Sequence, residues 1–305
     1  MPLDELITQP DEFVPEALEL GRYNRSLLAL PLSGFPTLFY VNQMSLEEAG
    51  VTLDSTSYPD RLDDARRLTN PEAGKYGWGV VPDLPELETV AGSAASGIWS
   101  HDQSDTLIGS QKFTDAWQWF ADLAFIEGVS PHPAAWDSIF GMPSAVLSGR
   151  IAMALQSGWA LQSFGSDKTS DGKWAIAPLP EWDGLPRHVP FNAAYTGVTA
   201  GSQDPTASAE VAFYLATEGL DPELKVGIPT WVPGLEKLAS SLKMDSAVLV
   251  EARNAWHRSV LDTPHEKEVA GEIFPALESV MKNGEPAAEH TPQLATRLAS
   301  IVKRG

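Results

Sequence analysis

Residues 147–159 read LSGRIAMALQSGW and combine a helix end, an apolar run and a turn. A short predicted helix begins after Pro143 and ends at Gly149, and the apolar run Ile151 to Leu155 follows at once. A run of this length without polar alternation is typical of a strand that is buried on both faces. The stretch therefore predicts an α/β protein, in which helices cover a sheet.

Downstream of this stretch, strand and helix signals continue to alternate. Trp174 to Ala177 is a second predicted strand, and it ends at Pro178. Asp204 has the side chain of an N-cap and Pro205 suits the first helical position, so a helix is predicted that ends at Gly219. That helix carries three large apolar side chains: Val211, Tyr214 and Leu215. Further helices reach the C-terminus, with a break at Gly284.

Upstream, the strongest helix signal begins at Ser110 and ends at Gly128. Its apolar residues recur at helical spacing: Phe113, Ala116, Trp117, Phe120 and Ala124. Ser45 to Glu48 is predicted to be a capping box at the start of a short helix that Gly50 closes. The glycines at 74, 77 and 79 have the wrong spacing for a dinucleotide-binding loop and are predicted to form a turn.

Composition limits the possible partners. The 305 residues are 43% hydrophobic, which allows a sizeable core and favours two domains. There is no cysteine, so disulfide and thiolate–metal sites are excluded. A formal net charge of −20 disfavours nucleic acid and anionic membrane surfaces as partners and suits a neutral or cationic small ligand.

Catalytic and metal-binding motifs are absent from the sequence. The six histidines are scattered without an HExxH pattern, and neither GxSxG nor a P-loop occurs. Adjacent acids such as Glu47 and Glu48 point to different faces of a helix, as solvated charges do. We therefore predict no metal, no cofactor and no catalytic residue.

Ten tryptophans are the unusual feature of the composition. An indole ring is a good platform for the C–H face of a sugar, and its N–H can bind a hydroxyl group. Trp159 and Trp231 follow turn residues, so for them a place in a ligand cleft and a place in the core are about equally supported. Trp117 lies on the apolar stripe of its helix and is predicted to be core, whereas Trp119 lies on another face and is predicted to cover surface.

Seven segments, in order, resemble the family 1 extracellular solute-binding proteins, the group of the maltose-binding protein. The first, 38–51, is similar to the family's "lyYNkdlfeeaGl", and 147–153 resembles its "f..GkaAM". The "G.W" that follows is matched by Ser157-Gly158-Trp159. The other matching segments are 61–77, 174–180, 191–204 with 227–230, and 280–294.

The resemblance implies a periplasmic-binding-protein-like fold of type II, with two α/β lobes that close on a ligand. It implies binding of a sugar or oligosaccharide in an interlobe cleft, delivery to the membrane permease of an ABC importer, and an extracytoplasmic location. Trp159 matches the stacking tryptophan. The crossing segments contribute the other candidate ligand-binding residues, for which hinge packing is an equally good interpretation: Tyr40, Asn42, Asn192, Tyr195 and Trp231.

The implied organisation has four parts. Residues 1–37 are what is left of lobe one with the first crossing, and 38–190 form lobe two. Residues 191–229 return to lobe one, and 230–305 are C-terminal helices that return to lobe two.

Two features depart from the family pattern. Asn192-Ala193-Ala194 replaces a glycine pair at the return crossing. Members also carry about a hundred residues, including a signal peptide, before the region that Leu3 to Leu6 resembles, and no such leader is recognised in this sequence. We therefore expect an incomplete first lobe with unpaired apolar faces and reduced affinity. Two other interpretations stay open: a truncated remnant that binds nothing, and a carbohydrate-active enzyme that uses paired acids.

Overall fold

The computed structural model describes residues 2–6, 10–100, 105–133, 141–166, 172–182, 184–219, 227–241 and 256–303. The strands in chain order are β1 (Arg22–Tyr23), β2 (Ser26–Leu27), β3 (Ala29–Gly34), β4 (Thr37–Asn42), β5 (Tyr76–Gly79), β6 (Ile151–Ser157), β7 (Trp174–Ala177), β8 (Val189–Phe191), β9 (Ala193–Gly197), β10 (Ile228–Pro229) and β11 (Trp256–Arg258). The helices are α1 (Pro15–Leu20), α2 (Gln43–Ala49), α3 (Tyr58–Leu68), α4 (Leu84–Leu87), α5 (Ser93–Ala95), α6 (Gln111–Phe125), α7 (Gly141–Leu147), α8 (Leu161–Ser166), α9 (Pro205–Ala216), α10 (Val232–Ser241), α11 (Glu266–Asn283) and α12 (Ala287–Val302). A π-helical turn, Glu88–Gly92, joins α4 to α5.

The chain divides into two compact units. Unit 1 consists of Met1–Pro36, Gly158–Ser166 and Phe191–Trp256, and unit 2 consists of Thr37–Ser157, Asp167–Pro190 and His257–Gly305. The sequence-based division differs at two places, because residues 158–166 and 230–256 cluster with unit 1. The second difference follows in part from the pairing of β10 with β3 of unit 1, because residues 230–256 come directly after β10 in the chain.

Unit 2 contains a four-stranded mixed sheet in the order β5-β6-β4-β7. β6 runs parallel to β5 and antiparallel to β4, with register pairs from Thr37↔Ser157 to Val41↔Met153. Every residue of β6 is buried. The prediction of a strand covered on both faces within an α/β fold is confirmed.

Close packing of β5 against α3 explains one of the three glycines that the sequence assigned to a turn. That prediction was wrong for Gly77 and Gly79, which lie in β5. A Cβ on Gly77 would lie 2.0 Å from the carbonyl oxygen of Ala65 in α3, so only glycine allows this approach. Gly74 ends a short helical turn with φ = 66°, in the left-handed region.

The predicted capping box at Ser45 is wrong. α2 begins two residues earlier, at Gln43, and its N-cap is Asn42, whose Oδ1 accepts a hydrogen bond from the Ser45 backbone N–H at 2.8 Å. Asn42 is both the last residue of β4 and the N-cap of α2, so no loop separates the strand from the helix. Gly50 closes the helix with φ = 60°, as predicted.

The predicted helix from Ser110 is confirmed as α6, with the Ser110 Oγ accepting from the Phe113 N–H at 3.3 Å. Trp117 is fully buried. Trp119 is half-buried and belongs to an aromatic cluster with Tyr58, Trp78 and Trp182, so it packs into unit 2 and does more than cover surface. Among the described helices, none has the length and apolar character required to cross a membrane.

Unit 1 has a three-stranded antiparallel sheet in the order β10-β3-β9. Asp204 and Pro205 start α9 as predicted, with Asp204 Oδ1 accepting from the Ala207 N–H at 3.0 Å. α9 covers the sheet with small side chains, Ala209, Ala212 and Ala216, which join a core that includes Leu27 and Leu30. Phe213 also packs against this core, whereas the other large apolar side chains of α9 are exposed: Val211, Tyr214 and Leu215.

Candidate ligand-binding site

Two of the segments that resemble the family, 157–159 and 191–204 with 227–230, meet at one turn of unit 1, Gly34-Phe35-Pro36, which follows β3. The Phe35 N–H donates to the carbonyl oxygen of Asn192 at 2.7 Å, and the Gly158 N–H donates to that of Pro36 at 2.7 Å. Gly227 packs on the Phe35 ring, because a Cβ there would lie 2.7 Å from Phe35 Cε1. The turn thus fixes the backbone beside Asn192 and immediately before Trp159.

Trp159 lies in a short 3₁₀ turn, Gly158–Ala160, directly after β6. Its neighbours Ala160 and Leu161 are fully buried, and the Gly158 N–H is held by Pro36. The indole itself is half-buried. A half-buried ring on a backbone fixed at both ends can present its exposed part to a ligand at little cost in side-chain entropy.

The side chain and backbone of Trp231 make several contacts within unit 1. Its Nε1–H donates to Glu12 Oε2 at 3.2 Å, and Lys237 Nζ lies 5.4 Å from its ring centroid. Its backbone bridges to Phe13, and the ring packs against the unit 1 core. These contacts use the indole N–H and one ring face, so they favour the packing role that the sequence left open for this residue.

Asn192 and Tyr195, the candidates of the return crossing, differ in exposure. Asn192 is exposed, and its backbone carbonyl is used by Phe35. Tyr195 is half-buried in β9, and its hydroxyl donates to the Ala17 carbonyl at 3.0 Å. The Asn192 side chain is therefore accessible to a ligand, whereas the Tyr195 hydroxyl ties β9 to α1.

Tyr40 and Asn42, the candidates of the first crossing, are packed inside unit 2. Tyr40 is fully buried in β4, with its ring centroid 6.1 Å from that of Trp174, and burial raises the pKa of its hydroxyl well above the usual value. Asn42 is 2% exposed; besides capping α2, it donates from Nδ2 to the Val146 carbonyl at 2.7 Å. Both side chains have structural roles in this packing.

A buried polar pair in unit 2 was not found by sequence reasoning. Glu86 and Gln156 are each 1% exposed, and Gln156 Nε2 donates to Glu86 Oε1 at 3.1 Å. Burial, together with the nearby Asp83, raises the pKa of Glu86 well above its ordinary value. Gln156 was the available signal, because it is a polar residue within a strand that is otherwise suited to complete burial.

Two other buried ionisable groups of unit 2 are engaged in packing. Glu88 Oε1 accepts from the Val260 N–H at 2.6 Å and from Ser259 Oγ at 3.1 Å, and burial raises the pKa of Glu88 to about 8. The His188 ring stacks on His257 at 4.5 Å, and burial lowers the pKa of His188 to about 3. Among the residues that the structure describes, no three His, Asp or Glu side chains are grouped so as to hold a metal ion.

Solved structures with the same fold are solute-binding proteins. An ABC transporter solute-binding protein from Thermotoga lettingae TMO, bound with α-D-tagatose, matches with TM-score 0.82 and 19% identity over 99% of this chain and 80% of that one. An ABC substrate-binding protein from Listeria monocytogenes in complex with cycloalternan matches with TM-score 0.81 and 17% identity over 100% and 79% of the two chains. Maltose-bound MalE3 of T. maritima matches with TM-score 0.80 and 16% identity over 100% and 80%. A comparison with curated protein sequences gives no match.

The fold is therefore that of the ABC-transporter solute-binding proteins, with two α/β units. The model of the bacterial extracellular solute-binding protein family matches residues 2–220, which is well over half of the chain. The chain belongs to this family.

Proposed function

We propose that the protein is the substrate-binding component of an ABC importer and that it binds a sugar or oligosaccharide. The observation that carries this proposal is the family match over residues 2–220. The structural relatives support a sugar as the ligand class, since those named above were solved with tagatose, cycloalternan and maltose. At this level of identity they support the fold directly and the ligand class only by analogy.

Trp159 supports the carbohydrate assignment from the chain's own residues. It is a half-buried indole on a fixed turn, at the position that matches the family's stacking tryptophan. The C–H face of a pyranose or furanose ring packs on such a surface by dispersion and apolar burial. The exposed amide of Asn192 lies on the other segment that meets the same turn, and it can donate to and accept from hydroxyl groups.

The second part of the proposal is that the protein binds its ligand and does not catalyse a reaction on it. The family and the structural relatives are binding proteins, and a binding protein returns its ligand unchanged. We further propose an extracytoplasmic location, as the family description implies, and a membrane permease as the partner that receives the ligand.

The proposal is tested by titrating the purified chain with D-tagatose, maltose, larger glucosides and polyols while following intrinsic tryptophan fluorescence. A saturable change with at least one sugar is expected, because the chain has ten tryptophans. The sugar is then recovered and analysed by chromatography, and it is expected to be intact. A folded protein that responds to no sugar or polyol, or one that releases hydrolysis products, would contradict the proposal.

A further inference from the structure

Two of the passages of the chain between the units run through a pair of hydrogen-bonded strands, β8 and β11, which we call the connecting ribbon. The chain leaves unit 2 between Pro190 and Phe191, within β8, and it returns to unit 2 between Trp256 and His257, within β11. Backbone rotation at such passages is how hinged proteins open and close. Whatever holds the ends of the ribbon therefore influences that motion.

The unit 2 end of β8 is held by one irregular turn, the π-helical Glu88–Gly92. The backbone N–H of His188, the residue before β8, donates to Oγ of Ser93, the residue after the turn, at 2.8 Å. Ser93 Oγ in turn donates to the Thr89 carbonyl at 2.6 Å. A Cβ on Gly92 would lie 2.9 Å from Cδ2 of the His188 ring, so the turn packs directly on this residue.

The same turn holds the unit 2 end of β11 through Glu88, which is 1% exposed. Its Oε1 accepts from the Val260 N–H at 2.6 Å and from Ser259 Oγ at 3.1 Å. The rings of His188 and His257, which come from the two sides of the ribbon, stack at 4.5 Å. Helical turns of the π type are rare and occur frequently at functional sites. One such turn here fixes both ends of the ribbon.

We propose that the π-helical turn is the anchor of the connecting ribbon and that Glu88 is its positioning residue, which fixes the ribbon without touching the ligand. The consequence for ligand affinity rests on the proposed function. A ribbon with fixed ends needs less ordering when the protein closes on a ligand, so a loosened anchor lowers the affinity.

The charges around Glu88 make the anchor sensitive to pH. Burial raises the pKa of Glu88 to about 8, and the acids Asp262, which follows β11, and Asp83, which precedes α4, add to the rise. Asp262 itself is influenced by Arg258 and Glu266. Helix α6 also packs on the turn, and its buried residues include no charged side chain. Ionisation of Glu88 thus places a negative charge beside other acids inside unit 2.

Glu88 and His188 together define the pH range in which the anchor loosens. The contribution of Glu88 is complete below its ordinary pKa of 4.5 and is lost as the pH rises through 8. Burial and the neighbouring His257 lower the pKa of His188 to about 3, so its contribution is complete above 6.5 and is lost as the pH falls. The two dependences cancel from pH 4.5 to 6.5, and from 6.5 to 8 Glu88 acts without His188. The anchor is therefore expected to loosen between pH 6.5 and pH 8.

Hydrogen exchange at the Val260 N–H, which Glu88 accepts, measures the anchor without a ligand. After correction for the intrinsic exchange rate, wild-type protection is expected to fall by at least about tenfold from pH 6.5 to pH 8, because opening restores the ordinary pKa of Glu88. Glu88→Gln keeps an acceptor oxygen and cannot ionise, so its protection is expected to be equal at the two pH values. A wild-type protection that does not change, or an equal fall in Glu88→Gln, would overturn the inference.

Glu86→Gln is the matched control. Glu86 is another buried acid whose pKa burial raises, but it bonds to Gln156 of β6 and not to the ribbon ends. Its variant is expected to show the wild-type fall in protection at Val260. A smaller fall would mean that Val260 exchanges by unfolding of the whole of unit 2, and a local anchor would then be contradicted. Thermal unfolding checks that both variants are folded.

Calorimetry at pH 6.5 and pH 8 tests the link to ligand binding, with D-tagatose and maltose as probes. Wild-type affinity is expected to fall by about fivefold or more at the higher pH, which is the low end of typical coupling between two sites. Glu88→Gln is expected to bind equally well at both. Parallel changes in the two proteins would contradict the role of the anchor in binding. If the wild type binds no sugar or polyol, the proposed function fails, and the exchange experiment still decides whether the anchor exists.

Discussion

The side-chain amide of Asn42 donates to the Val146 carbonyl at 2.7 Å while its oxygen caps α2 at the Ser45 N–H. One buried side chain therefore joins the end of β4, the start of α2 and the end of α7. The family resemblance made Asn42 a candidate for the pocket edge, but both polar atoms of its amide are already used inside unit 2.

Asn42→Ala is expected to lower the free energy of unfolding by about 2 kcal/mol, because it removes a helix cap and the buried hydrogen bond to the Val146 carbonyl, which keeps only its bond from the Gly149 N–H. Urea denaturation measures the loss. Asn70→Ala is the control, since Asn70 caps only a short exposed turn through the Ala73 N–H, and it is expected to cost less. Sugar affinity of folded Asn42→Ala is expected to match the wild type; a loss of affinity without a loss of stability would restore the pocket-edge role.

Alanine substitutions at Gly77 and at Gly271 are expected to change the free energy of unfolding in opposite directions. Gly77→Ala places a Cβ 2.0 Å from the Ala65 carbonyl oxygen, so β5 and α3 must separate and the free energy of unfolding falls by more than about 2 kcal/mol. Gly271 lies within α11 with open space around its Cα, so Gly271→Ala is expected to stabilise by about 0.5–1 kcal/mol. Equal effects of the two substitutions would show that β5 and α3 do not pack as described.

His188 makes stability fall on acidification. Its pKa is about 3 in the folded protein against an ordinary 6.5, so between these values the unfolded chain binds a proton that the folded chain does not. The free energy of unfolding is therefore expected to decrease by about 1.4 kcal/mol per pH unit below 6.5 from this group. His188→Phe keeps a ring against His257 and is expected to remove this dependence, as measured by urea unfolding at pH 7 and pH 5. An unchanged pH dependence in the variant would contradict the burial of His188.

Glu88 acts in the opposite direction. Its folded pKa of about 8 lies above the ordinary 4.5, so its stabilising contribution is complete below pH 4.5 and is lost as the pH rises through 8. Glu88→Gln mimics the protonated acid and can still accept from the Val260 N–H. The variant is expected to equal the wild type at pH 4.5 and to become more stable than it by about 1.4 kcal/mol per pH unit up to pH 8. Parallel stability curves for the two proteins would contradict this assignment.

The sequence was informative where one physical signal dominated. The apolar run Ile151 to Leu155 predicted a covered strand, and Ser110, Asp204 and Gly50 marked helix ends, because caps and left-handed glycines act locally. The sequence-based prediction failed at Gly77. Glycine is required there because the backbone of α3 lies against β5, and this contact exists only in the folded protein.

The candidate site was less predictable than the fold. Trp159 is proposed because its motif is contiguous in sequence, and Trp231 was flagged by the same kind of argument although its N–H is used by Glu12, 219 residues away. Glu86 was not singled out from the sequence. Only the pairing of α4 with β6 brings it to Gln156, and no local pattern in the sequence records that contact.

The central claim is that this chain binds a sugar on the face of Trp159, and calorimetry tests it most directly, because removing a tryptophan also removes a fluorescence reporter. Trp159→Ala and Trp159→Phe are compared with the wild type and with Trp119→Phe, which alters the aromatic cluster of unit 2. The account predicts that the sugar found with the wild type binds at least about tenfold more weakly to Trp159→Ala, with Trp159→Phe between them, since a stacked ring contributes about 0.5–1.5 kcal/mol beyond its area burial. Wild-type affinity in folded Trp159→Ala would contradict it.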